Sequence, residues 1–225
     1  MNSGISILMP IYNGIEFIEE SVNSILNQTY VNWELIIGVN GHNKDSEVYN
    51  IAKSYEDKDL NNRIKVYDLY TINGKSNALN ELVKYTNNEY IALLDVDDIW
   101  FNNKLELQSK LLGKYDVLGT KCIYFGNKQF ENIIPDIPIG SIINYEIQKC
   151  NPIINSSCII KKDLCYWRPN YDLEDYDLWI RLYKEGKTFY NFPIVLVKHR
   201  IHEKSAFNSK GNNNKVPELL KEHGY

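Results

Sequence analysis

Asp95-Val96-Asp97-Asp98 places three carboxylates within four residues, directly after the apolar run Tyr90-Ile91-Ala92-Leu93-Leu94 and before Ile99-Trp100. Acids crowded at the end of a buried strand repel one another. Something positive must offset that repulsion, and a divalent cation is the foremost candidate. A solvated acidic face fits poorly, because both flanks are apolar. An EF-hand loop is excluded, since its glycine and its spaced acids are missing. A Mg2+ or Mn2+ ion held by one or two carboxylates keeps open positions for a diphosphate. A chain of formal net charge -4 that binds a diphosphate needs such an intermediary.

Three further clusters carry chemistry. Glu174-Asp175 opens the run Leu173-Glu-Asp-Tyr-Asp-Leu-Trp179. Acids at a helix N-terminus meet the positive end of the helix dipole, and a carboxylate aimed rigidly from that position suits a general base. Lys198-His199-Arg200-Ile201-His202 follows an apolar strand pattern. Extended backbone would put Arg200 and His202 on one face and His199 on the other. Arg suits a phosphate and imidazole suits Mn2+. Gly74-Lys75-Ser76-Asn77 precedes a helical stripe, and a helix start with Gly and Lys either holds phosphate or simply caps the helix. Neither G-x-G-x-x-G nor G-x-x-x-x-G-K-[ST] occurs, which disfavours dinucleotide-binding and P-loop chemistry.

The elements that must position these groups alternate along the first half. Strands are expected at Ile5 to Met9, Trp33 to Val39, Arg63 to Leu69 and Tyr90 to Leu94. Helical spacing covers Ile15 to Gln28, Lys44 to Tyr55 and Lys75 to Tyr85. Strands separated by helices predict right-handed crossovers and a mostly parallel sheet, with ligands beyond the carboxyl ends of its strands. Pro10 to Asn13, Asn40 to His42 and Asp95 to Asp98 should then open onto one rim. The second half is less regular. It reads as a helix over Asn102 to Leu112, strand over Val117 to Phe125, and a mixed segment over Asn127 to Ile154. A short strand at Cys158 to Lys161, a helix over Asp175 to Lys184 and a strand over Phe189 to Val197 follow. Residues 208–215 read as a polar flexible link, and Val216 to His223 as a small terminal helix.

Composition sets the bounds. The chain has 225 residues, 44% of them hydrophobic and 24% charged, which suits one soluble globular domain. The acidic balance argues against nucleic acid as a partner. No apolar stretch reaches the ~20 residues of a membrane span. Met1-Asn2-Ser3-Gly4 lacks a basic flank and Pro10 interrupts the apolar run after it, so no secretory signal is expected. Cys122, Cys150, Cys158 and Cys165 form no C-x-x-C pair, so reduced thiols in a cytoplasmic protein, at most peripheral to a membrane, are expected.

Taken in order, the segments resemble the family 2 glycosyltransferases of GT-A fold, over about residues 4 to 207. The resemblance is carried by Met9-Pro-Ile-Tyr-Asn13, Trp33-Glu-Leu-Ile-Ile37, Gly74-Lys-Ser-Asn-Ala-Leu-Asn80, Leu94-Asp-Val-Asp-Asp-Ile-Trp100, Lys104-Leu-Glu-Leu-Gln108, Asn151-Pro-Ile, Glu174-Asp-Tyr-Asp-Leu-Trp179 and Arg200-Ile-His202. It implies one GT-A domain over 1–207, with a nucleotide-sugar half (1–100) and an acceptor half (101–207). It also implies inverting transfer of a sugar from a nucleotide-diphosphate donor to a hydroxyl acceptor such as a glycan. Asp95 and Asp97 would be the D-x-D pair, with Asp97 on the metal and Asp95 near the ribose or a metal-bound water. His202 would be the further metal ligand. Asp175 would be the base, with Glu174 as its substitute. Pro10, Tyr12, Asn13 and Asn40, together with Lys75, Asn77 and Arg200, would meet the donor. Trp179 and Asp98 would serve the acceptor side, Trp179 by packing beneath it or by stacking. Many relatives carry V-D-D-G-S after the second strand, where this chain has Val39-Asn40-Gly41-His42. UDP is therefore the default, with TDP or GDP open. Two other readings are a sugar-1-phosphate nucleotidyltransferase, which would need a basic glycine-rich loop after the first strand, and a non-catalytic binding module. Neither accounts for the acids and His202 together.

Overall fold

The computed structural model describes residues 3–169, 171, 173–203 and 212–225. Four parallel strands form the first half of one sheet: β1 (Ile5–Ile11), β2 (Trp33–Asn40), β3 (Ile64–Leu69) and β4 (Tyr90–Leu93), in the spatial order β3-β2-β1-β4. Each strand is apolar on both faces because helices cover both. Ile5, Ile7, Met9 and Ile11 of β1 point to one face, where Ile18, Val22 and Ile25 of α1 (Ile18–Leu26) and Ala52 of α2 (Glu47–Lys53) meet them. Leu8 points to the other, toward Ala78, Leu79 and Leu82 of α3 (Lys75–Leu82). This is the two-residue alternation of a strand set against the 3.6-residue stripe of a helix.

Beyond β4 the sheet becomes mixed, in keeping with the less regular pattern of this half. Strand β8 (Ile159–Lys161) runs antiparallel to β4, and β6 (Val117–Phe125) antiparallel to β8. Strand β9 (Phe189–Arg200) lies parallel to β6, and β5 (Ile99–Trp100) and β7 (Gly140–Ser141) pair with β9 antiparallel. The connections here include short and irregular ones, so adjacent strands need not share a direction. Helix α4 (Lys104–Ser109) is shorter than its pattern, α5 (Asn144–Lys149) arises within the mixed segment, and α6 (Glu174–Lys184) forms as expected. Strand β9 runs past Val197 to Arg200. Helix α7 (Asn212–Glu222) takes in Asn212 to Lys215, which the sequence reading assigned to a flexible link; the earlier part of that link lies outside the described residues. Leu219 of α7 is buried against the α3–α6 face of the sheet.

Candidate active site

The carboxyl ends of β1, β2 and β4 open onto one rim, as parallel pairing requires. A cavity of about 480 Å³ lies there, lined by Pro10, Tyr12, Asn13, Asn40, Lys75, Asp95 and Asp97 among the expected residues. His202 also lines it, and so does His199. Tyr12 is exposed and lies across Gly41, whose φ is +72° and where an added Cβ would sit 2.7 Å from the ring. Only glycine fits that contact. His42 Nε2 hydrogen bonds the Tyr12 carbonyl at 2.6 Å and holds the same turn. Asn40 is 2% exposed and still lines the cavity.

Each acid of the tetrad has its own basic partner. Lys75 Nζ lies 2.7 Å from Asp95 Oδ1, and the Asn155 amide donates to both Asp95 oxygens at 3.2 and 3.0 Å. His202 Nε2 lies 3.0 Å from Asp97 Oδ2. His199 Nδ1 lies 3.0 Å from Asp98 Oδ2, while the Arg200 amide donates to Asp98 Oδ1 at 2.8 Å. Thus the protein itself offsets much of the repulsion that the sequence assigned to a cation. The remainder falls on Asp97, whose pKa is raised by burial and by Asp98 and Asp95 despite the hydrogen bond from His202. Burial would raise Asp95 too, but Lys75 and Asn155 hold it below its ordinary value. Burial alone would lower His199, yet Asp98 chiefly pushes it up to about 9.

Several expected roles change. Asp98 has its side chain buried between His199 and the Arg200 amide, so it braces the end of β9 and offers nothing to an acceptor. Trp179 is fully buried, with its ring edge-on to Phe189 at 6.4 Å, and serves the core, not sugar stacking. Arg200 does not line the cavity: its Nε donates to the Asp97 carbonyl at 2.8 Å and its guanidinium is sandwiched 4.3 Å from both Phe17 and Phe125. Extended backbone ends at Arg200, so the simple alternation fails and His199 and His202 reach the same cavity. Asn77 does not line it either; its amide donates to the Asn73 carbonyl at 2.8 Å and ties the turn at Gly74.

The acids of α6 flank this site. Lys75 Nζ reaches Glu174 Oε1 at 3.4 Å as well as Asp95. Asp175 Oδ2 accepts from the Asn151 amide at 2.9 Å, and Asp175 Oδ1 from the Tyr176 amide at 2.7 Å. Glu174 is pushed up to about 7, first by burial and then by Asp175, against the pull of Lys75. Asp175 is raised as well, by burial above all. Sequence reasoning quoted Asn151 within a motif but gave it no role, and missed Asn155 and His199. Lone amides and a histidine between Lys198 and Arg200 carry no spacing signal; only the fold brings them to the acids.

Among the described residues, no three His, Cys, Asp or Glu side chains converge into a metal-binding group by themselves. Asp97 and His202 do suit a two-ligand site completed by a substrate. Their facing atoms are 3.0 Å apart. Neighbouring ligands of an octahedral ion at about 2.1 Å stand roughly 3 Å from each other.

The model of glycosyl transferase family 2 matches residues 6–167, most of the chain and all of the four parallel strands but Ile5. The chain belongs to that family. Its sheet and helices form the GT-A architecture of family 2. EpsE of Bacillus subtilis is 33% identical over 89% of this chain and 74% of its own length. Also similar is WfgD of Escherichia coli, a UDP-Glc:alpha-D-GlcNAc-diphosphoundecaprenol beta-1,3-glucosyltransferase, 29% identical over 92% of this chain and 80% of its own. TarS 1-349 of S. aureus in complex with UDP-GlcNAc superposes with a TM-score of 0.74 at 17% identity, over 98% of this chain and 65% of that one. PcManGT, a mannosyltransferase from Pyrobaculum calidifontis in complex with GDP-Man and Mn2+, superposes with a TM-score of 0.71 at 13% identity, over 99% of this chain and 70% of that one. The chain thus spans about two thirds to four fifths of these relatives, and 37% of a longer family 2 protein from Rickettsia conorii, with which it is 30% identical. Among the described residues no helix is long and apolar enough to cross a membrane.

Proposed function

We propose that this chain transfers a sugar, with inversion, from a nucleoside-diphosphate donor to a hydroxyl of a glycan or similar acceptor. The observation that carries the reading is the meeting of Asp97 and His202, distant in sequence, at 3.0 Å on the rim where the β1 and β2 loops line the cavity. Tyr12, Asn13 and Asn40 take the nucleoside, and Lys75, which lines the same cavity, takes the diphosphate. Asp97 and His202 would hold a Mn2+ or Mg2+ ion. When bound, that ion acts as a Lewis acid toward the negative charge that develops on the leaving diphosphate.

Asp175 accepts the proton of the acceptor hydroxyl as that oxygen attacks the anomeric carbon. The bond to the diphosphate oxygen breaks on the opposite face through an oxocarbenium-like state. Asn151 and the Tyr176 amide fix the Asp175 carboxylate, and burial makes it a stronger base than an ordinary aspartate. The relatives' printed names and the bound ligands of the solved neighbours favour UDP, with GDP next. The test is thermal-shift screening of UDP, TDP and GDP, each with and without Mn2+. One diphosphate should raise the melting temperature, and more so with Mn2+. No shift with any of them would overturn the donor reading.

A further inference from the structure

Lys75 is the first residue of α3, directly after Gly74 at φ +84°, and it sits between two carboxylates from opposite halves of the chain. Its Nζ lies 2.7 Å from Asp95 after β4 and 3.4 Å from Glu174 at the start of α6. The two acids of α6 have different company. Glu174 faces an ammonium, whereas Asp175 is held by neutral donors, the Asn151 side-chain amide and the Tyr176 backbone amide. The turn that carries Lys75 is tied by the Asn77 amide to the Asn73 carbonyl, so the ammonium is presented from a fixed point.

We propose that Lys75 is a positioning residue for the Glu174–Asp175 pair: its ammonium supplies the counter-charge of the pair, anchors Glu174 toward the donor subsite, and so leaves Asp175 as the proton acceptor. This assignment rests on the transferase reading above and names how the donor and acceptor halves are coupled. Among the described residues the groups facing the pair are Lys75 from α3, Asp95 after β4, Asn151 after α5 and the Cys158 thiol before β8; of these only Lys75 favours the ionised carboxylates by charge. Burial and the mutual repulsion of adjacent acids would otherwise drive a proton onto one of them. An ionised Glu174 beside Asp175 in turn makes Asp175 harder to keep deprotonated and therefore more basic, which suits an acceptor of a hydroxyl proton. Burial by itself would lower the Lys75 pKa, but Asp95, Glu174 and Asp175 more than offset it, so the ammonium persists at neutral pH.

The test is carbon-13 NMR of the full chain labelled at side-chain carboxyls, with the two resonances assigned by Glu174→Gln and Asp175→Asn. Lys75→Met should raise the titration midpoints of the pair by ~1–3 units, and Lys75→Arg should restore them. Lys75→Gln, which keeps a polar side chain in the turn, gives the same reading if Lys75→Met does not fold. Midpoints that stay in place in a folded Lys75 variant would overturn the assignment, because a merely structural lysine would not move them. Calorimetric titration of wild type with UDP, TDP and GDP in the presence of Mg2+ separates the two claims. Absence of binding overturns the donor reading. Binding with unmoved midpoints overturns the role of Lys75 alone.

Discussion

The two halves of this chain were built by different rules. Through β4, each strand and helix follows from local periodicity, and the loops that matter come straight off the strand ends. After β4, the residues that matter reach the site from the end of β9, from the turn at Asn155 and from the start of α6. In the proposed reading the first half would shape a pocket for a nucleotide, and the second would supply the groups that act on what the pocket holds. Asp95 and Asp97 stand at the junction, each tied to a partner from elsewhere: Asp95 to Lys75 and Asn155, Asp97 to His202.

If that division is right, substitutions in the second half should remove chemistry and substitutions in the first should change binding. The largest effect is expected for Asp175→Asn, which should lower transfer by ~10²–10⁴-fold while leaving nucleotide affinity within a few-fold. Steady-state kinetics beside calorimetry checks this; undiminished transfer would move the base to Glu174. Asp97→Asn sits on the boundary. It should weaken Mn2+-dependent nucleotide binding by at least ~10-fold, read by calorimetry with and without the ion.

How far the sequence reaches follows the same line. The places in the fold of Asp95 to Asp98, of the loops that end β1 and β2 and of the acidic start of α6 were legible, because each is a run of neighbouring residues on a strand end or helix start. His199 was misread, since the alternation of an extended strand was carried past Arg200, where β9 ends. Asp98 was misassigned because sequence does not report burial: it is 0% exposed, as is Trp179, whose burial fits packing and not stacking. Arg200 suits a phosphate by residue type, but Phe17 and Phe125 enclose its guanidinium, and no spacing rule links those two positions. The mixed strand order of the second half escaped for the same reason, as pairing there joins segments far apart in sequence.

A smaller effect concerns stability. The Glu174 carboxyl is raised to about 7 from an ordinary 4.5, so the folded state holds its proton more tightly than the unfolded chain. Its contribution is fully present below about pH 4.5 and is lost as pH rises through about 7. Glu174→Gln should therefore melt at a higher temperature than wild type at pH 8, with the gap closing toward pH 4.5. The opposite trend in scanning calorimetry would show that the Lys75 contact outweighs burial. The smallest effect belongs to the first half. Asn40→Asp should shift preference by a few-fold toward uracil, whose ring N3–H donates, over cytosine, whose N3 accepts, because a carboxylate only accepts where an amide also donates. Equal affinities of the variant for UDP and CDP would remove Asn40 from the base contact.

The central claim is that Asp97 and His202 share one divalent ion with a bound diphosphate, and it can be read at the metal. Electron spin-echo modulation of Mn2+ added to the protein with UDP should show nitrogen coupling from one imidazole, absent in His202→Gln. A spectrum without imidazole coupling in the wild type, with UDP bound, would contradict it.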